Sequence, residues 1–251
     1  MKATDIFTDP LYAEWVLARA KPLTDFTLLP ELVDAMDHLA QENNWAAVSS
    51  NNVYWEKIES PVRVVRLVEA EVTLVNPKVM YSSASIDLYV EGCGSLGATS
   101  DSNFRPQFVV PRHSSITVEA GRRRYKFSGL KAEFVRHELD HLNGVLIAHR
   151  GFYCGSEPKR STDFSSLVDD ALSVGYLTFG RTRVLPPKYV VLSYSDFKIA
   201  HGYERGDAPV NFIVPHSDKI LEFLGNLGIR PRVETVDISN AKEIYPVRNI
   251  V

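Results

Sequence analysis

Phe134-Val-Arg-His-Glu-Leu-Asp-His-Leu-Asn-Gly144 is the stretch on which the reading of the whole chain turns. It holds His137, Glu138 and His141 in a His-Glu-x-x-His pattern. Residues four apart lie on one face of a helix, so His137 and His141 can present two imidazoles to one metal ion. Glu138 sits about 100° round from His137, within reach of a metal-bound water without being a ligand itself. A helix is expected because Leu130, Phe134, Val135, Leu142 and Val145 recur at helical spacing with no intervening proline. Asn143-Gly144 supplies a C-terminal stop. Taken alone, the pattern points to a metal-dependent hydrolase; the bland alternative is a chance grouping of surface residues.

Two imidazoles need a third protein ligand, and Cys93 is the best candidate. It lies in Glu91-Gly-Cys-Gly-Ser-Leu-Gly97, where flanking glycines let the backbone bend closely around an ion. A thiolate binds zinc or ferrous iron well, and a Cys-His-His set leaves a fourth position for water, the arrangement of a catalytic site. Glu138 then serves as general acid/base.

Composition narrows the class. The 251 residues suffice for one large domain or two smaller ones, and 45% hydrophobic with 24% charged residues is ordinary for a globular chain. A net charge of −3 gives no basic footprint for direct nucleic-acid binding. No apolar run approaches the ~20 residues of a membrane helix, so no membrane is expected. The opening Met1-Lys-Ala-Thr-Asp-Ile-Phe-Thr-Asp-Pro10 reads as neither a signal nor a transit peptide. Two cysteines, Cys93 and Cys154, exclude a disulfide scaffold.

Along the chain, Tyr12 to Leu17 gives a short apolar face, and Pro30 to Glu42 reads as an amphipathic helix with His38 on its polar side. Strands are expected over residues 62–68, 71–75, 78–81, 85–90, 107–110, 115–119 and 125–127, with Pro111 separating two of them. Arg122-Arg-Arg124 sits at a hairpin tip and reads as a solvated end. Beyond Arg150, Gly155 to Thr162 looks like a linker. Helices are expected over 167–174 and 217–228, and strands over 188–194, 210–214 and 232–237. His201 and His216 read as structural or solvated. The chain is expected to divide into residues 1–150, carrying the metal motifs, and 151–251, a small α/β extension without recognisable chemistry.

The combination of Glu91-Gly-Cys-Gly-Ser95 and His137-Glu-Leu-Asp-His-Leu-Asn-Gly144, with Val110-Pro-Arg112 between them, resembles the motifs of peptide deformylases, which read Glu-Gly-Cys-Leu-Ser and His-Glu-x-Asp-His-Leu-x-Gly. The resemblance covers roughly residues 15–150. It implies an α+β fold with antiparallel sheets packed around the central motif helix, and a metal held by Cys93, His137 and His141. The implied ion is Fe2+ or Zn2+, with Ni2+ or Co2+ as substitutes. The implied reaction is removal of the formyl group from the N-terminal formylmethionine of nascent polypeptides, near the ribosome exit region. Such enzymes work in mitochondria and other organelles or in bacterial cytoplasm, and the long extension and drifted motif favour a mitochondrial member.

Departures from the family pattern bear on activity. The family's Gly-x-Gly-Leu-Ala-Ala-x-Gln becomes Glu42-Asn-Asn-Trp-Ala-Ala-Val-Ser49, so both glycines are gone and Ser49 stands at the glutamine that donates to the formyl oxygen. Gly94 replaces a leucine, which keeps the backbone N–H but removes the side chain; Gly97 replaces a proline. Losing one such donor costs about 10²–10³ in turnover. Ser49, and Asn51 beside it, are the expected replacement donors, and Arg136 is the expected partner of Asp140. Reduced or altered deformylase activity is the leading expectation. The alternatives are a metal-holding binding or scaffold protein without deformylase activity, and a generic metallopeptidase, which Cys93 disfavours.

Overall fold

β-Branched runs separated by turn residues form short antiparallel strands, and the histidine motif folds as the helix they surround. The structure, a computed structural model, describes residues 2–4, 6, 9–97, 105–157, 163–176, 188–202, 208 and 210–235. The chain forms two compact units: residues 1–87, 94–101 and 111–146, and residues 88–93, 102–110 and 147–251. The expected division at residue 150 was a single cut, whereas these units interleave, with 88–93 and 102–110 grouped with the later residues.

The first unit contains β1 (Lys2–Ala3), α1 (Pro10–Leu17), α2 (Leu29–Asn43), β2 (Ala47–Ser49), β3 (Val53–Tyr54), β4 (Val64–Leu67), β5 (Val72–Val75) and β6 (Lys78–Ser82). The strands β7 (Ile86–Gly92) and β8 (Arg105–His113) follow, then β9 (Ser115–Ala120), β10 (Arg123–Ser128) and α3 (Leu130–His141). Its sheets are β1-β3, β2-β4-β5 and β6-β9-β10, all antiparallel. Pro111 does not end β8, which runs on to His113; Pro111 lies beyond residues 105–109, the part of β8 that pairs with β11, so its missing N–H removes no bond from that ladder.

In α3, Ala132, Val135, Leu139 and Leu142 pack into the core built by Val65, Leu67, Leu74, Ile116, Val118 and Phe127. Of the expected stripe only Leu130 departs: it is the first helical residue and is 62% exposed, whereas Val135, Leu142 and Val145 are buried and Phe134 packs against the core. Anchoring this face leaves His137 and His141 on the other side of the helix. The helix ends where Gly144 adopts φ 71°, and a Cβ there would lie 2.2 Å from the carbonyl oxygen of Leu17. Glycine is therefore required by both its backbone conformation and the crossing chain. That crossing is held by Ala20 N–H donating to Leu142 O at 3.0 Å and by Arg63 donating to the same oxygen at 3.1 Å.

The second unit adds β11 (Phe152–Glu157), α4 (Asp163–Tyr176), β12 (Lys188–Ser193), α5 (Tyr194–His201), β13 (Asn211–Pro215), α6 (Asp218–Asn226) and β14 (Arg232–Thr235). β12 is the centre of the antiparallel sheet β13-β12-β14, and β11 pairs with β8 in the sheet β7-β8-β11. Phe108, Tyr153, Phe164, Phe197 and Phe212 are fully buried and form an aromatic core. Gly155 to Glu157 complete β11 rather than start a linker; residues 158–162 of that expected linker, and 236–237 of the last expected strand, lie outside the described residues. Helix α5 was not expected from the sequence. Its N-cap Ser193, whose Oγ accepts from Asp196 N–H at 3.1 Å, directly ends β12, so strand and cap signals overlap. No described helix is long and apolar enough to cross a membrane.

Candidate metal centre and active site

The site is built on α3. His137 and His141 lie one turn apart with ring centroids 5.0 Å from each other. Cys93 is buried and lies between the end of β7 and the 3-10 turn Gly94–Leu96. One ligand atom from each of Cys93, His137 and His141 lies within 4.8 Å of the others. A carboxylate oxygen from each of Glu91 and Glu133 forms a second such group with His137. Both carboxylates are buried, and such groups orient the ring of a ligating histidine. Sequence reading passed over Glu133, although its place four residues before His137 on the same face was a usable signal.

His141 is 1% exposed, and burial first, then the proximity of His137 and Arg112, holds its pKa well below the ordinary histidine range. It is therefore neutral at physiological pH, the ligating form. The donor set of one sulfur and two imidazoles suits a borderline divalent ion, so these residues fit the expected metal.

Glu138 is buried beside them. Burial pushes its carboxyl up from the ordinary range, opposed in decreasing order by His137, by hydrogen bonds from Ser49 and by Arg112. Its Oε2 has no hydrogen-bond partner among the described residues. One oxygen supported and one open is the arrangement of a carboxylate that exchanges protons with a small molecule.

Ser49 is fully buried, at the end of β2. Its N–H and Oγ lie 2.8 and 2.7 Å from Oδ1 of Asn52, and both also act on Glu138. The structure thus brings Ser49 to Glu138. Asn51, the other expected donor, is placed elsewhere: its Nδ2 donates to the carbonyls of Val16 and Ala18 at 3.2 and 2.9 Å, closing the end of α1. Gly94 opens the 3-10 turn, where the first N–H groups have no acceptor within the turn itself. Asp140 pairs with Arg112, a buried cation that reaches it from β8, at 2.5 Å, a partner the sequence reading did not foresee. His38 is exposed and pairs with Glu42 at 3.2 Å, away from any of these groups.

The family model described as polypeptide deformylase matches residues 13–153. A peptide deformylase of Parasynechococcus marenigrum (strain WH8102) is 44% identical over 78 residues, which is 31% of this chain and 37% of that protein. One from Synechococcus sp. (strain CC9311) is 38% identical over 98 residues, 39% of this chain and 47% of that protein. The chain thus spans less than half the length of these curated relatives. Among solved structures, the actinonin-bound class I type b peptide deformylase from Acinetobacter baumannii is 27% identical, with 59% of this chain and 99% of that one covered at a TM-score of 0.47.

Proposed function

The chain belongs to the polypeptide deformylase family, and from that premise we propose that it is a metal-dependent hydrolase that removes the formyl group from the N-terminal formylmethionine of nascent polypeptides. The observation that carries this reading is the grouping of Cys93, His137 and His141 within 4.8 Å, with Glu138 on the same helix. An ion held by these three residues supplies Lewis acidity and lowers the pKa of water. Fe2+ and Zn2+ are the favoured ions, and Ni2+ and Co2+ suit the same donors.

The chain's own groups then divide the work. Glu138 accepts a proton at its open carboxylate oxygen and returns it to the leaving amine. Its raised pKa brings that exchange closer to neutral pH. Gly94 N–H donates to the formyl oxygen. Ser49 orients Glu138 instead of serving the substrate, since its donors are directed at Asn52 and Glu138. With one donor fewer on the formyl oxygen, turnover is reduced by about 10²–10³.

That occupied position favours one second reading, a deformylase homologue that holds its metal and works as a binding or scaffold protein. The bacterial origin of the relatives supports the alternative expectation, bacterial cytoplasm, over the favoured mitochondrial one as the place of action. The peptide substrate is met as it leaves the ribosome.

The test compares formyl- and acetyl-methionyl peptides with metal-quantified protein and its Glu138→Gln variant. Hydrolysis of the formyl peptide alone, lost in Glu138→Gln at unchanged metal content, supports the enzyme. Binding of both peptides without hydrolysis contradicts it.

A further inference from the structure

Asn52 stands outside both metal motifs, yet each end of its carboxamide is committed to the site. Oδ1 receives Ser49 N–H at 2.8 Å and Ser49 Oγ at 2.7 Å; Nδ2 donates to Ser95 Oγ at 3.0 Å. Ser49 N–H, which can only donate, fixes which end is oxygen, so the amide has one orientation. Ser49 in turn hydrogen-bonds Glu138, and Ser95 lies in the 3-10 turn that begins one residue after Cys93. All four residues are buried: Ser49 and Ser95 at 0%, Asn52 at 4% and Glu138 at 6% exposure.

The backbones here are held independently. Thr4 N–H donates to Asn52 O and Ile6 N–H to Ser95 O, both at 3.0 Å, so the N-terminal segment fastens both positions. The Asn52 side chain is therefore not needed to bring the two segments together. What it adds is direction, in a low-dielectric setting where a satisfied polar network sets side-chain geometry.

We propose that Asn52 is a positioning residue that orients Ser49 against Glu138 with one end and the turn after Cys93 with the other, coupling the acid/base group to the metal-ligand loop. This rests on the proposed deformylase function for its kinetic arm only.

The test uses Asn52→Leu, Ser95→Ala and Ser49→Ala in the full chain. Formylmethionyl-peptide kinetics and release of Co2+ to excess chelator are read side by side. Groups behind a metal site typically change activity or affinity by about 10–100-fold. Asn52→Leu is expected to lower kcat by about tenfold with KM unchanged, and to speed Co2+ release by about tenfold. Ser49→Ala lowers kcat without altering release, and Ser95→Ala speeds release. Should Asn52→Leu fail to fold, the two serine variants carry the same separation. The proposal is overturned if Asn52→Leu leaves kcat and release near wild type, or if the two serine variants shift both quantities together. Absence of turnover in fully loaded wild type contradicts the function reading alone; the release measurements still decide the coupling.

Discussion

The indole of Trp45 occupies the space that a side chain at Gly94 would fill: a Cβ built there lies 1.9 Å from Cζ2 of Trp45. Gly94 does not have the left-handed φ that demands glycine, so Trp45 is what excludes a side chain. In the family motifs both positions carry leucine. This chain has moved the apolar bulk from one wall to the other, next to Cys93.

The exchange predicts strong coupling. Gly94→Leu alone is expected to cost about 1–3 kcal/mol through overpacking. Trp45→Leu leaves a gap and costs on the order of 2 kcal/mol. The double variant should recover part of both losses, with an interaction of about 0.5–3 kcal/mol. Urea unfolding of the four proteins measures it, and simple additivity contradicts the exchange.

The two cysteines should behave differently toward metal. Burial, and then the negative charge of Asp169, pushes the Cys154 thiol up to about 12, so it stays protonated at neutral pH. Co2+-loaded protein is expected to show sulfur-to-cobalt absorption that Cys93→Ser abolishes and Cys154→Ala leaves unchanged. Loss of the band in Cys154→Ala refutes the assignment.

His201 ends α5 among the rings of Tyr153, Phe164 and Phe197, and burial depresses its pKa to about 4. The helix C-terminus would favour the cation, but desolvation outweighs it. The unfolded chain takes up this proton near pH 6.5 and the folded chain only near 4, so the contribution is full above about 6.5 and lost as pH falls through that window. The linkage is on the order of 3 kcal/mol. Thermal melts between pH 4 and 7 should show a shallower decline for His201→Phe, and parallel curves contradict the account.

The Arg112–Asp140 pair is almost fully enclosed, with side-chain exposures of 3% and 13%. Removing one partner leaves a buried charge, so Arg112→Leu is expected to cost about 3–5 kcal/mol. Arg112→Leu with Asp140→Leu should be less damaging than the single variant in urea unfolding. Equal loss in both indicates that packing, rather than charge, dominates.

Most strands and the motif helix were legible because alternation and helical spacing are local signals; β4, β5, β6, β9 and α3 fall on their expected stretches. Cys93 was legible as the third ligand from its glycine-flanked setting and its thiol chemistry, and the motif resemblance strengthened the link to the histidines. The support around them was not legible. Asn52 reaches Ser95 across 43 residues, Arg112 reaches Asp140 across 28, and Trp45 meets Gly94 through space. Such pairings depend on how sheets and turns come together, which periodicity does not encode. Ser49 was recognised by its motif position, but its direction toward Glu138 and Asn52 needed coordinates.

Formate release from a formylmethionyl peptide by anaerobically prepared, metal-quantified protein tests the central claim most directly. The account predicts repeated turnovers per bound ion, slow for the family, and none after Glu138→Gln. No formate from fully loaded wild-type protein would contradict it.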